Sequence, residues 1–145
     1  MRTLKQFAII DNLNSFLEEV DDDFSPRLSS RIQLDAFASK IWQRATILTI
    51  YEKSRLSAFA AIYCDDKKRK LAYLTMIAVS KHCRGRGIAR TLMRSSILYL
   101  RELRFSTLRL EVYKNNVKAI RIYQNLDFVV VRETSNSLIM DLALI

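Results

Sequence analysis

A chain of 145 residues, 50% of them hydrophobic, matches the commonest size for one domain. No apolar run approaches the ~20 residues that span a bilayer, and MRTLKQFAII leads into an acidic stretch rather than a cleavage site, so a single cytoplasmic domain over residues 1–145 without a membrane partner is expected. The charge of +9 is uneven, −2 over residues 1–66 (8 Lys and Arg, 10 Asp and Glu) and +11 over residues 67–145 (16 against 5), which points the C-terminal half at an anion: nucleic acid, an anionic membrane or a phosphorylated small ligand.

In chain order, residues 4–20 place Leu4, Phe7, Leu13, Phe16, Leu17 and Val20 near helical spacing, although TLKQFAII also fits a short opening strand. DDDFSPRLSSR, with the only proline, Pro26, reads as a connection, and LDAFASKIWQRA as a second helix. ATILTIY, LSAFAAIYC and LAYLTMIAV are β-rich runs separated by the polar turns EKSR and DDKKRK, the pattern of an antiparallel meander. From Gly87 onward an amphipathic helix is expected, with Ile88, Leu92, Met93, Ile97, Leu98 and Leu100 on one broad side and Arg86, Arg90, Arg94, Arg101 and Arg104 largely off it. STLRLEVY alternates as a strand, NVKAIRIYQNL is a short helix, and FVVVRET and SLIMDLALI form a hairpin over SNS. The order ααβββαβαββ is mixed α/β, and the strand, helix and strand of residues 71–113 predict a right-handed parallel crossover.

One histidine and two cysteines without a CxxC pair support neither a zinc site nor a disulfide framework, so Cys64 and Cys83 are expected as reduced thiols. His82 and Cys83 have no acid partner in the sequence, which disfavours a nucleophile role for either.

KHCRGRGIARTLM, residues 81–93, holds both of the chain's glycines, Gly85 and Gly87. Glycine averages about 7% of residues, so this chain excludes it almost everywhere else. A loop between a strand end and a helix start exposes unpaired backbone N–H groups under the positive end of the helix dipole. Two glycines let a phosphate approach that backbone, and Arg84, Arg86 and Arg90 add full charges. A Walker loop needs G-x-x-x-x-G-K-[ST] and the dinucleotide fingerprint needs a third glycine where Arg90 stands, so neither fits.

The pattern that fits is R-x-x-G-x-A, Arg84 to Ala89, after the strand LTMIAV. With LEVYKNNVKAIRIYQNLDF downstream, residues 45–145 resemble the GNAT superfamily of acyl-CoA-dependent N-acyltransferases. The resemblance implies one GNAT-like domain: a mixed, mostly antiparallel sheet with a central parallel β-α-β crossover and helices on both faces. It implies acetyl-CoA as cosubstrate, no metal, and an amine acceptor that is a small molecule or a protein N-terminus. By the same resemblance Ile77, Ala78 and Val79 offer backbone hydrogen bonds to the pantetheine arm, in a strand that splays from its parallel neighbour. Arg84, Gly85, Arg86, Gly87, Ile88, Ala89 and Arg90 would hold the diphosphate.

Acylation of an amine by a thioester needs a neutral amine, a stabilised oxyanion and a proton for the leaving thiolate. Tyr123 matches the family's leaving-group acid, against the plainer reading of a core tyrosine beside Ala119, Ile122 and Leu126. Asn116 matches a coenzyme-contacting residue and also suits a helix N-cap. Glu111 shares a strand face with Arg109 and Tyr113. Its spacing to Asn116 and Tyr123 resembles the bacterial ribosomal-protein alanine N-acetyltransferases, in which this glutamate is the proposed base; an ion pair with Arg109 or a nearby lysine is the alternative. The family's glycine before Phe128 is Asp127 here, a residue that tolerates the left-handed conformation better than most. Two other functions are weighed: a nucleic-acid-binding module, motivated by the basic half but lacking stacking aromatics, and a non-catalytic acyl-CoA sensor. The acceptor, from protein N-terminus to amino sugar to polyamine, stays open, as does a homodimer.

Overall fold

The hydrophobic alternation of the middle of the chain dictates a sheet, and the sheet sets where everything else goes. The computed structural model describes the backbone of residues 4–24 and 26–145 and side chains from residue 11 onward, Ser25 apart. Helices α1 (Leu4–Val20) and α2 (Leu34–Arg44) precede strands β1 (Thr46–Glu52), β2 (Arg55–Asp66) and β3 (Leu71–Val79). Helix α3 (Ile88–Glu102), β4 (Thr107–Tyr113), α4 (Val117–Asn125), β5 (Val129–Glu133) and β6 (Ser137–Ala143) follow, in the order expected from the sequence. Residues 4–20 form a helix and not a strand; Leu13, Phe16, Leu17 and Val20 are buried, while the side chains of Leu4 and Phe7 lie outside the described residues.

The six strands run β1-β2-β3-β4-β6-β5. All neighbours are antiparallel except β3 and β4, which are parallel and bracket α3. The hairpin between β1 and β2 turns on Lys53 and Ser54, both with positive φ (49° and 65°), the conformation that a two-residue connection needs for its twist to match the strands. The chain makes that turn without glycine.

The sheet is covered on both sides. Ala58, Ala60 and Ile62 of β2 pack with Leu92, Met93, Ile97 and Leu100 of α3 and Tyr123 of α4, while Phe59 and Ala61 pack with Leu13, Phe16 and Leu17 of α1 and Ala38 and Ile41 of α2. Period-2 alternation on a strand buried on both faces accounts for the near-continuous apolar run. In α3 one expectation fails: Leu98 is 60% exposed. It lies two residues before Leu100, about 200° around the helix, on the opposite side from the core stripe. Ser96 fills that stripe instead, buried, with its hydroxyl donating to the Leu92 carbonyl at 2.8 Å.

Strand β3 changes faces part-way along. Ala61 pairs with Met76 but Ile62 pairs with Leu74, so Thr75 is an extra residue in β3. Such a bulge flips the side chains beyond it. Ala72 and Leu74 belong to the α3 side of the core, Met76 and Ala78 to the α1–α2 side. The parallel ladder with β4 also stops there, its last pair being Leu74 and Leu110. Beyond the bulge, residues 75–79 of β3 have no β4 partner, and a gap opens in the middle of the sheet.

Candidate active site

At the mouth of that gap the chain turns from β3 into α3 through Ser80 to Gly87. Gly85 and Gly87 have φ of +79° and +72°, and a Cβ added at either would meet nothing within 4 Å. The left-handed backbone favours glycine here, and the space around it is open. Gly87 is the N-cap of α3; no side chain caps it and the first turn carries no acidic residue. The N–H groups of the first helical turn, Ile88, Ala89 and Arg90, have no intrahelical acceptor and face the positive end of the dipole. A cavity of about 360 Å³ lies over them, lined by Gly85, Gly87, Ile88, Ala89 and Arg90 together with Lys118 and Ile122 of α4. These groups suit a diphosphate: open amides, glycine backbone and cations, with no carboxylate among the cavity's lining residues.

A second cavity of about 400 Å³ runs along the gap, lined by Ile77, Ala78 and Val79 of β3, by Tyr113 at the end of β4 with Asn115 and Asn116 after it, and by Asp23 and Phe24. The two cavities share Val79, Arg84 and Lys118. Arg86 apart, which lines neither cavity, the structure brings together the loop and β3 residues expected around the coenzyme, and two of the arginines are already engaged. Arg84 donates to the Val79 carbonyl from Nε at 3.2 Å and from Nη2 at 3.1 Å, and Nη2 also donates to Asp23. That carbonyl is accordingly engaged; since the Ser80 N–H donates to the Ser57 carbonyl, Ala78 turns its backbone groups towards β2, and Ile77 and the Val79 N–H keep the edge that lacks a β4 partner. Arg86 donates to Glu52 at 3.1 Å. Two of the three loop arginines are therefore balanced by carboxylates of the N-terminal half.

The other expected residues divide between the two faces of β4. Asn116 caps α4, its Oδ1 accepting from the Ala119 N–H at 3.3 Å, and it lines the cleft as well. Tyr123 is 8% exposed, belongs to the core on the α3 side and tilts its ring against Phe128 at 5.7 Å between centroids. Burial pushes its hydroxyl up to about 12. Glu111 stands on the opposite face with Arg109 and Tyr113 and is exposed. It makes no ion pair with Arg109: that guanidinium grips Asp141 through Nε at 2.8 Å and Nη2 at 3.0 Å. Lys114 pairs with Glu133 at 2.6 Å. Glu111 Oε2 instead accepts from Ser137 Oγ at 2.5 Å, and Glu111 lines a cavity of about 620 Å³ with Tyr63, Asp65, Tyr73 and Arg109. Tyr123 and Glu111 are thus on opposite sides of the sheet, with the gap beside them.

His82 is exposed and meets the Ser80 hydroxyl at 3.1 Å, while that hydroxyl donates to Glu19 at 2.7 Å; Cys83 is buried. Sequence reasoning overlooked Lys118, whose place in the first turn of α4 facing a basic loop was a usable signal, and Asp23 and Ser137, whose partners lie 61 and 26 residues away. Among the described residues no group of three His, Cys, Asp or Glu could hold a metal, and no helix is long and apolar enough to cross a membrane.

The architecture and the motif can be set beside known proteins. A model of the acetyltransferase (GNAT) family matches residues 13–128. A probable spermine N(1)-acetyltransferase from Bacillus subtilis subsp. natto is 31% identical over 67 residues, 46% of this chain, and a spermine/spermidine N(1)-acetyltransferase from Bacillus subtilis is 28% identical over the same length. The match covers 44% of each of those relatives, so the chain spans less than half the length of the curated proteins it matches. Among solved structures, a ribosomal-protein alanine N-acetyltransferase from Escherichia coli has a TM-score of 0.76 at 22% identity, over 93% of this chain and 87% of that one. The PaiA N-acetyltransferase of Thermoplasma acidophilum, in complex with coenzyme A, has a TM-score of 0.72 at 14% identity, over 92% of this chain and 94% of that one. At those identities the two structures speak for the fold, and the motif block speaks for more. Since the family match takes in the α1–α2 segment, the bulged strand, the glycine loop and the Tyr123 helix together, the chain belongs to the acetyltransferase (GNAT) family.

Proposed function

We propose that the protein transfers an acetyl group from acetyl-CoA to a primary amine by direct attack. The observation that carries the proposal is the anion socket at Gly85–Arg90 opening into the gap beyond Leu74 and Leu110. A diphosphate held at one end would lead an extended arm into the middle of the sheet. The amides of Gly87 to Arg90 and the side chains of Arg86, Arg90 and Lys118 would hold the diphosphate, and the free edge at Ile77 and the Val79 N–H would pair with the arm. When bound, acetyl-CoA supplies an acyl group on a good thiol leaving group.

Glu111 is the base in this reading. With Arg109 given to Asp141 and Lys114 to Glu133, its carboxylate is held in no ion pair and opens on a cavity that could admit an amine. Tyr123 serves the leaving thiolate. At about 12 its hydroxyl is a weaker acid than a thiol near 8.5, so it contributes chiefly a hydrogen bond to developing negative charge rather than a completed proton transfer. The acceptor class is an unhindered aliphatic amine, and the names of the relatives suggest where to begin: spermine, spermidine and an alanine-terminated peptide.

The test is thiol release from acetyl-CoA with these amines and an amino sugar. Turnover with at least one, together with a Glu111→Gln rate that is depressed most at low pH and recovers at alkaline pH where free amine is abundant, is expected. Tight coenzyme binding with no thiol release for any amine would make the protein an acyl-CoA sensor. A Glu111→Gln variant as active as wild type at every pH would move the base elsewhere.

A further inference from the structure

The acceptor-side carboxylate is held by a neighbour that nothing so far has given a role. Ser137, at the start of β6, is 2% exposed. It sits opposite Tyr113 in the ladder, diagonal to Glu111, whose own partner is Ile139. Its hydroxyl lies 2.5 Å from Glu111 Oε2 and 2.7 Å from Thr134 Oγ1. A hydroxyl has one proton, and an ionised carboxylate only accepts. Ser137 therefore donates to Glu111, and its lone pair receives the Thr134 hydroxyl. The turn is closed from the other side as well: the Thr134 N–H donates to the Ser137 carbonyl at 2.9 Å, and the Ser137 N–H to Thr134 Oγ1 at 3.0 Å.

We propose that Ser137, braced by Thr134, is a positioning residue that fixes the Glu111 carboxylate for proton abstraction; this rests on the reading of Glu111 as base. An exposed glutamate on a strand would otherwise sample several rotamers, with Arg109 two residues before it on the same face. The Ser137 hydroxyl commits Oε2 and leaves Oε1 to take the proton. In that step the nitrogen lone pair bonds to the acyl carbon as the carbonyl π pair moves onto its oxygen. The N–H bond breaks with its electron pair left on nitrogen and its proton bonded to Oε1, and collapse of the oxyanion then breaks the C–S bond and releases the thiolate. The Ser137 proton stays where it is. A charge-assisted hydrogen bond from a buried hydroxyl is the short, strong kind, and placement of a catalytic group to within a fraction of an ångström is worth a large factor in rate.

Two measurements on the full chain test the proposal. Three-bond side-chain couplings of Glu111, read by NMR without any substrate, should report one χ1 rotamer in wild type and Ser137→Thr and averaged values in Ser137→Ala. Rates of thiol release from acetyl-CoA, with the fastest of the amines above, should fall roughly 10- to 100-fold in Ser137→Ala, recover in Ser137→Thr, and leave the coenzyme affinity unchanged. In a Glu111→Gln background the Ser137→Ala change should cost nothing further. Should Ser137→Ala fold poorly, Thr134→Val, at an exposed position, is expected to give a smaller loss of the same pattern. Single-rotamer couplings in Ser137→Ala, or equal losses in both backgrounds, would overturn the positioning role. A fully active Glu111→Gln would overturn the base reading instead, and the two failures are thereby told apart.

Discussion

Tyr123 has a ring packed into the core beside Phe128 and a hydroxyl that the proposed function assigns to the leaving thiolate, two demands that pull against each other. Burial raises the hydroxyl from 10.0 to about 12, because the phenolate would lose its water. A folded value above the unfolded one means that the residue's contribution to stability is complete below pH 10 and is lost as the pH rises through 12. Tyr123→Phe keeps the ring contact and deletes the titrating group. Its urea midpoint should therefore fall less than that of wild type between those two pH values. Its coenzyme affinity should persist while kcat drops by roughly 10 to 10⁴, the span for one lost acid or hydrogen-bond donor. A kcat within twofold of wild type would make Tyr123 a core residue and nothing more.

The helix that carries Tyr123 ends in a way its sequence half announces. Leu126 is the C-cap, Asp127 follows with φ +74°, the Asp127 N–H donates to Gln124 O at 3.0 Å and the Phe128 N–H to Tyr123 O at 3.0 Å. This is a Schellman closure, and its usual apolar contact is here the Tyr123–Phe128 pair. The spacing from tyrosine to phenylalanine is thus a helix-capping rule as well as a family motif, which is why it was legible. Asp127 bears the left-handed strain, so Asp127→Gly should stabilise the fold by about 0.5–1 kcal/mol after the larger unfolded-state entropy of glycine is set against it. Thermal unfolding should move up by about 1–4 °C; a lower midpoint would show that the carboxylate holds something the backbone does not reveal. Other elements hid their key feature. In LAYLTMIAV both parities are apolar, since Ala72, Leu74, Met76 and Ala78 alternate with Ile77 and Val79, and so the bulge at Thr75 that opens the sheet leaves no mark in the pattern. Ser137 and Glu111 meet only because β6 inserts between β4 and β5, a pairing that no local signal encodes.

Across the whole molecule, the uneven charge visible in the sequence turns out to have an internal counterpart. The acidic N-terminal half meets the basic C-terminal half at the glycine loop: Lys81 reaches Asp22 at 3.2 Å, Arg84 pairs with Asp23, and Arg86 with Glu52 at 3.1 Å. On the proposed function, an anionic cosubstrate would have to compete with the protein's own carboxylates for these cations. The Arg86–Glu52 pair is the cleanest place to measure that competition, because both side chains are about half exposed, at 52% and 43%. An ion pair so open to solvent contributes little to stability, roughly 0–1 kcal/mol. Its removal frees one guanidinium beside the diphosphate socket and deletes one negative charge from its surroundings. Glu52→Gln should therefore leave the thermal midpoint of the unliganded protein within about 2 °C of wild type. At low ionic strength it should tighten coenzyme A binding by roughly 2- to 10-fold, about 0.4–1.4 kcal/mol. The gain should shrink towards nothing near ~0.5 M salt, where charges a few ångströms apart in water are screened. Calorimetric titration of coenzyme A at two salt concentrations checks both statements at once. Unchanged affinity at low salt would mean that Arg86 does not reach the diphosphate. Weaker affinity would mean that Glu52 holds Arg86 in its binding position rather than away from it.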